Sequence, residues 1–351
     1  MHSRFFHLAK KIIKILQIQP DKGQSNIEQS IDKIPEAINA PAGMVTLALL
    51  AEVFKQNLGD KVFHKEWFAL IKSLLKLPDI SRQYVLVILF ANINCFFQTD
   101  KDWTREYLLP IFHSSKSIDR DAAWSGFSEG HVLPCLDIFK TIKDDLFTIV
   151  KTRPPFYLKD TGNFARLILE SWGKVDDTMG ERLITDEEFH KLLLQSGDEL
   201  RTEILKQVEI WIRGPHTDNS SDEWNSRLPE LFSIWPKQMK AWPAKVTASF
   251  CELSLKSGEQ FPVILKLVIN RLGKIPHPYS VDFYTPAIMD SNNKIIQDYP
   301  KELLELLFTV LPNDTRQRPF KIAEILQKIV EADSSLKKDE RYIELKRRYS
   351  I

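Results

Sequence analysis

Apolar residues recur at i, i+3, i+4 and i+7 in nearly every stretch between the chain's turn-forming residues, and the period-two alternation of a half-buried strand is almost missing. The pattern predicts an all-α protein. Helices are expected over residues 41–58, 64–76, 81–98, 102–113, 118–128 and 132–150. After Pro154-Pro155 they are expected over 159–172, 186–194, 198–213, 222–235, 243–256, 261–272, 300–311, 320–331 and 338–349. The opening segment reads as one more amphipathic helix. Phe5, Leu8, Ile12 and Ile15 fall on one face with Lys10, Lys11 and Lys14 turned away, so that face is expected in the core, and a basic membrane-surface helix is the other reading. Lysines interrupt the stretch before a secretory apolar region can form.

Start and stop signals agree with these spans. Thr185-Asp186-Glu187-Glu188 has the spacing of a capping box, in which the Thr hydroxyl and the Glu carboxylate satisfy orphan amides. Ser117 and Ser221 are expected N-caps, and Gly59, Gly173, Gly214 and Gly273 suit the left-handed position beyond a helix end. Pro236 and Pro243 each follow a Trp and so disfavour helix at that Trp, which sets corners.

Helices of roughly 10 to 20 residues, arriving about one per 20 residues, have the spacing of stacked helical hairpins. The expected architecture is an irregular α-solenoid of the HEAT or TPR kind, with a compact multi-helix bundle as the alternative. Two regions are expected, 1–153 and 154–351, the second interrupted by a loop insertion over 274–297. That insertion gathers Pro276, Pro278, Tyr279, Phe283, Tyr284 and Pro286 without helical period. Long loops in compact domains often carry function, so Tyr279, Phe283 and Tyr284 are candidate partner-binding residues. The plainer reading is a cover over a hydrophobic edge.

Composition narrows the class. At 43% hydrophobic and 27% charged residues the chain has the proportions of an ordinary globular protein, expected in the cytoplasm. The strongest apolar run, Val85 to Ala91, is far shorter than the roughly 20 residues needed to cross a bilayer, and no membrane partner is expected. A formal net charge of +1 removes the usual electrostatic case for general nucleic-acid binding. Charge is nonetheless segregated. Between Glu170 and Trp235 fifteen acidic residues oppose seven basic ones, and from Pro236 to Ile275 seven basic oppose two acidic. Lys237, Lys240 and Arg271 in the basic block are further partner-binding candidates. RNA binding along Lys237, Lys240, Lys245, Lys256, Lys266, Arg271 and Lys274 remains an alternative.

Catalytic signatures are missing, so no catalytic, cofactor-binding or metal-ligating residue is assigned. Twelve glycines include no phosphate-cradling Gly-x-Gly-x-x-Gly or Gly-x4-Gly-Lys-Ser/Thr, and no Gly-x-Ser-x-Gly or His-Glu-x-x-His occurs. Asp144-Asp145, Asp176-Asp177 and Glu187-Glu188 are adjacent pairs, which on a helix point about 100° apart and read as solvated or capping. Glu344-Leu345-Lys346 has the spelling of a nuclease element but lies on a predicted terminal helix, so a nuclease or hydrolase with an unfamiliar site is a lesser alternative. Cys95, Cys135 and Cys251 lack metal-like spacing and are expected as buried thiols. Of the eight tryptophans, five or six are expected in the core, leaving one or two to line a groove.

Two stretches carry a resemblance. Asp102-Trp103-Thr104-Arg105-Glu106-Tyr107-Leu108-Leu109-Pro110-Ile111-Phe112 precedes Ala122-Ala123-Trp124-Ser125-Gly126-Phe127, and Asn39-Ala40-Pro41-Ala42-Gly43 stands upstream. The order resembles the uncharacterised helical domain found C-terminal to sirtuin-like modules in bacterial antiphage defence proteins, with Asp102, Trp103, Pro110, Phe112, Trp124 and Gly126 as its structural motif. The resemblance implies a module that detects an intruder or silences an attached NAD hydrolase. No NAD-handling residue carries over to this chain. The expected function is therefore a non-catalytic helical scaffold or sensor that binds a protein, either an effector enzyme domain or a phage protein.

Overall fold

The computed structural model describes residues 2–21, 33–54, 61–130, 133–152, 161–175, 180–213, 220–236, 242–276, 294–314 and 321–351. Among these residues the protein is all-α, and the one extended pairing is an isolated antiparallel bridge between Val175 and Arg182. The chain divides into two compact units, Met1–Leu183 and Ile184–Ile351. The division anticipated after residue 153 lies elsewhere, because the helix Thr161–Gly173 belongs with the first unit, where its Phe164 ring lies 6.2 Å from Trp124.

The first unit comprises α1 (His2–Ile18), α2 (Lys33–Asn39), α3 (Pro41–Phe54), α4 (Lys61–Leu74), α5 (Asp79–Ala91), α6 (Ile93–Thr99), α7 (Lys101–Tyr107), a 3-10 turn (Leu109–His113), α8 (Ser117–Glu129), α9 (Leu136–Thr152) and α10 (Thr161–Gly173). Its centre is α5. Val85, Leu86, Val87, Ile88, Leu89 and Phe90 are all buried, as expected of a helix apolar on every side, and α2, α3 and α8 pack around it. At Gly126 and Gly43 the packing is closer than side chains allow. A β-carbon at Gly43 of α3 would overlap the carbonyl oxygen of Ala37 in α2, at 1.7 Å.

The span predicted as one helix over 81–98 is broken at Asn92 into α5 and α6, which meet at 70°. Asn92 donates its side-chain amide to the Ile88 carbonyl, the local bonding with which Asn competes against helix continuation. The expected helix over 102–113 likewise changes at Leu108 into a 3-10 turn led by Pro110. At the N-terminus the predicted core stripe is displaced by one residue. Phe6, Ala9, Ile13 and Leu16 are buried, while Leu8 and Ile15 are exposed. The helix carries apolar residues on two faces, and the core takes the one that holds Phe6 and Ile13.

The second unit comprises α11 (Asp186–Gln195), α12 (Asp198–Arg213), α13 (Ser220–Ile234), α14 (Ala244–Lys256), α15 (Phe261–Val268) continued by a 3-10 turn (Ile269–Arg271), α16 (Ile295–Asp298), α17 (Pro300–Val310), α18 (Ile322–Ala332) and α19 (Glu340–Tyr349). α16 begins at the end of the segment expected as an irregular insertion. α11 opens with the anticipated capping box: the Glu188 amide donates to Thr185 Oγ1 at 3.2 Å, and the Thr185 amide donates to Glu188 Oε2 at 2.9 Å. Other caps differ. Ser117 is the first residue of α8 rather than its cap, and among the described residues the glycines with left-handed φ are Gly180 and Gly258, not Gly173 or Gly273. Gly59 and Gly214 lie outside the described residues.

Both Trp-Pro corners feed one aromatic cluster. Trp242 stacks on Phe250 of α14 with centroids 4.3 Å apart, and Trp235 meets the same ring edge-on at 4.8 Å. Seven tryptophans are buried, more than expected. Trp211 alone is half-buried, and its ring lies 4.6 Å from that of Trp224, so no tryptophan stands clear as an anchor.

Candidate functional site

The motif that carries the resemblance is distributed over packing positions. Asp100 caps α7 by accepting from the Trp103 amide, and this sets Trp103 among Phe68, Phe96 and Tyr107 at centroid distances of 4.6, 5.9 and 5.3 Å. Phe112 and Trp124 belong to a second cluster with Phe90 and Phe127, and their own rings are 4.7 Å apart. Gly126 lets α8 touch α5, Pro110 starts the 3-10 turn, and Asp102 points to solvent with Arg105 at 3.6 Å. Trp103, Phe112, Trp124 and Gly126 therefore build two cores, Pro110 belongs to the turn between them, and Asp102 stands on the surface. They do not converge on a cleft.

Of the partner-binding candidates, Lys237, Lys240, Tyr279, Phe283 and Tyr284 lie outside the described residues. Arg271 closes the 3-10 turn after α15, and its carbonyl accepts the Trp242 amide at 2.8 Å. Next to it α15 exposes Val263 and Leu267, one turn apart, with Lys266 also exposed between them. Sequence reasoning passed over this pair because the strong apolar periodicity of α15 reads as core on every side.

Among the described residues the basic block is not a continuous row of free cations. Lys256 is almost buried, with its ammonium held by Glu209 of α12 and Glu252 of its own helix at 2.5 Å each. Lys274 donates to the Phe308 carbonyl at 2.8 Å, and burial together with the nearby Arg348 guanidinium lowers its pKa. Lys245 remains exposed.

The acidic motifs resolve similarly. Glu344 of the Glu344-Leu345-Lys346 triplet pairs with Arg347 at 2.8 Å, and Leu345 is buried, so the triplet is part of a packed terminal helix. Glu188 caps α11, and Asp145 pairs with His113. Asp176-Asp177 lie outside the described residues. Among the described residues no group of three or more His, Cys, Asp or Glu side chains is placed to hold a metal ion. The cysteines are unequal: Cys251 is buried as expected, Cys95 half-buried and Cys135 exposed. Cys135 is exposed because it sits in the approach to α9, where its amide donates to Asn94 Oδ1.

α1 presents a surface of another kind. Leu8, Ile15 and Ile18 are 56, 57 and 81% exposed, and Arg4, Lys11 and Lys14 are exposed beside them. A shallow depression lined by Arg4, His7, Lys10 and Glu66 opens between α1 and α4, with Lys10 and Glu66 paired at 2.6 Å. Among the described residues no single helix is long and apolar enough to cross a membrane. No protein-family model, curated protein or solved structure matches the chain.

Proposed function

We propose that this chain is a non-catalytic helical scaffold, built as an irregular stack of hairpins, that binds a protein partner as the sensor or regulatory arm of a cytoplasmic antiphage system in prokaryotes. The partner is an effector enzyme of the sirtuin-like, NAD-hydrolysing kind or a phage protein. The observation that carries the reading is the exposed pair Val263 and Leu267 on α15, bordered by Lys266 and Arg271. Apolar side chains one turn apart on an otherwise packed helix, with cations at the rim, suit a groove or helix on another protein. The burial of Trp103, Phe112, Trp124 and Gly126 supports it too, since these residues of the resemblance motif serve shape rather than reactivity.

Affinity capture from phage-infected and uninfected cells tests this, with Leu267→Glu/Arg271→Glu as the comparison. A single protein retained by the wild-type chain in stoichiometric amount and lost with the double variant is the expected result. Retention of the same protein by both, or of none by either, overturns the assignment of this surface.

A further inference from the structure

We propose that α1 docks the protein on an anionic membrane surface. Leu8, Ile15 and Ile18 would enter the boundary between headgroups and acyl chains, and Arg4, Lys11 and Lys14 would meet lipid phosphates. At 100° per residue, Leu8, Lys11, Ile15 and Ile18 follow at i, i+3, i+7 and i+10, a single outward stripe on the helix. The opposite stripe, Phe6, Ala9, Ile13 and Leu16, is already used by the core. The helix is thus anchored on one side and apolar on the other, so it lies flat between the body of the first unit and whatever covers it.

Charge identifies that cover. The span His2–Ile18 holds Arg4, Lys10, Lys11 and Lys14 and no acidic residue, in a chain whose totals nearly cancel. Glu66, the acidic residue in the depression beside α1, is paired with Lys10. A lipid surface fits better than a protein partner for two reasons. Protein interface cores are enriched in aromatic residues and depleted in lysine, whereas here lysines are interleaved with bare aliphatic side chains. At a bilayer the same arrangement is favourable, because a lysine stem runs along the apolar boundary while its ammonium stays with the phosphates. Three cations near an anionic leaflet and three aliphatic side chains match the strength of reversible surface binding rather than insertion.

Sedimentation of the full chain with phosphatidylcholine vesicles, with and without roughly one third phosphatidylserine, tests the proposal. Binding is expected to the phosphatidylserine vesicles alone. Leu8→Glu/Ile15→Glu and, separately, Lys11→Glu/Lys14→Glu should each weaken it roughly tenfold or more, with thermal melting unchanged because all four side chains face outward. Failure to bind the phosphatidylserine vesicles, the outcome if an acidic protein covers α1 instead, overturns the proposal. So does undiminished binding by both folded variants.

Discussion

A β-carbon on Gly126 would stand 2.1 Å from the carbonyl oxygen of Val87. α5 and α8 therefore meet backbone against backbone, with Ala122 and Ala123 buried on the same side of α8 and the Arg82–Asp119 ion pair, at 3.0 Å, closing one end. On an exposed helix Gly→Ala stabilises by about 1 kcal/mol. Here the methyl has no space, and the helices must separate around a core already filled by Phe90, Phe112 and Trp124. Gly126→Ala should destabilise by about 1 to 3 kcal/mol, the range of overpacking. Urea unfolding measures it, and an unchanged or raised midpoint would contradict the close approach. Gly130→Ala should be milder, since its β-carbon would lie 2.8 Å from the Ala91 carbonyl.

Trp67 and Trp124 are both fully buried but differ at the indole nitrogen. Trp67 donates to the Leu49 carbonyl at 2.8 Å, whereas Trp124 Nε1 has no acceptor among the described residues. Trp→Phe removes the same volume at each site, so the cavity terms are comparable. The hydrogen bond decides the difference: Trp67→Phe loses one, and Trp124→Phe removes an unsatisfied donor. Trp67→Phe should therefore cost more than Trp124→Phe by about 1 kcal/mol. Equal losses in paired denaturation curves would show that the Leu49 bond contributes nothing net.

The all-α class and most helix spans were legible because burial imposes a 3.6-residue period that survives without any partner in view. α12 spans the predicted 198–213, and the Thr185–Glu188 box is where its spelling placed it. What was not legible is choice among equivalents. α1 carries apolar residues on two faces, and only tertiary packing selects Phe6 and Ile13 over Leu8 and Ile15. The break at Asn92 depends on one side-chain amide turning back to Ile88, which no periodicity records. The same limit hid the exposed pair Val263 and Leu267, whose residue types match those of the core.

Asp339 caps α19 through the Arg341 amide at 2.9 Å, and the Arg341 guanidinium donates to its two carboxylate oxygens at 3.0 and 2.7 Å. The guanidinium bonds hold the carboxyl below its ordinary value of 3.8, outweighing the opposing effect of burial, and the amide bond and the charges of Arg341 and Lys301 act with them. Because the folded value is the lower one, the unfolded chain takes up the proton first as pH falls. The stabilisation is complete above 3.8 and disappears as pH drops through the lowered folded value. Asp339→Asn keeps a capping side chain but loses the charge. It should cost about 1 kcal/mol at neutral pH. The two proteins should converge in stability at the acid end of that window, and a gap independent of pH would place the effect elsewhere.

The three thiols should separate by rate under a cysteine-modifying reagent. Cys135 is exposed and should react first. Cys95 is half-buried, and desolvation raises its thiol pKa against a weaker lowering by its bond with Thr99, so both access and thiolate fraction slow it. Cys251 lies in the core of α14 between Phe250 and Leu253, and burial raises its pKa far enough that almost no thiolate forms in the folded state. Its labelling must wait for the second unit to open, so its rate should follow the unfolding equilibrium and rise steeply in sub-denaturing urea while that of Cys135 stays flat. Peptide mass mapping of a time course assigns each site. Labelling of Cys251 as fast as Cys135 in the native buffer would mean that α14 is not packed against α12 in the way that seats Lys256 between Glu209 and Glu252.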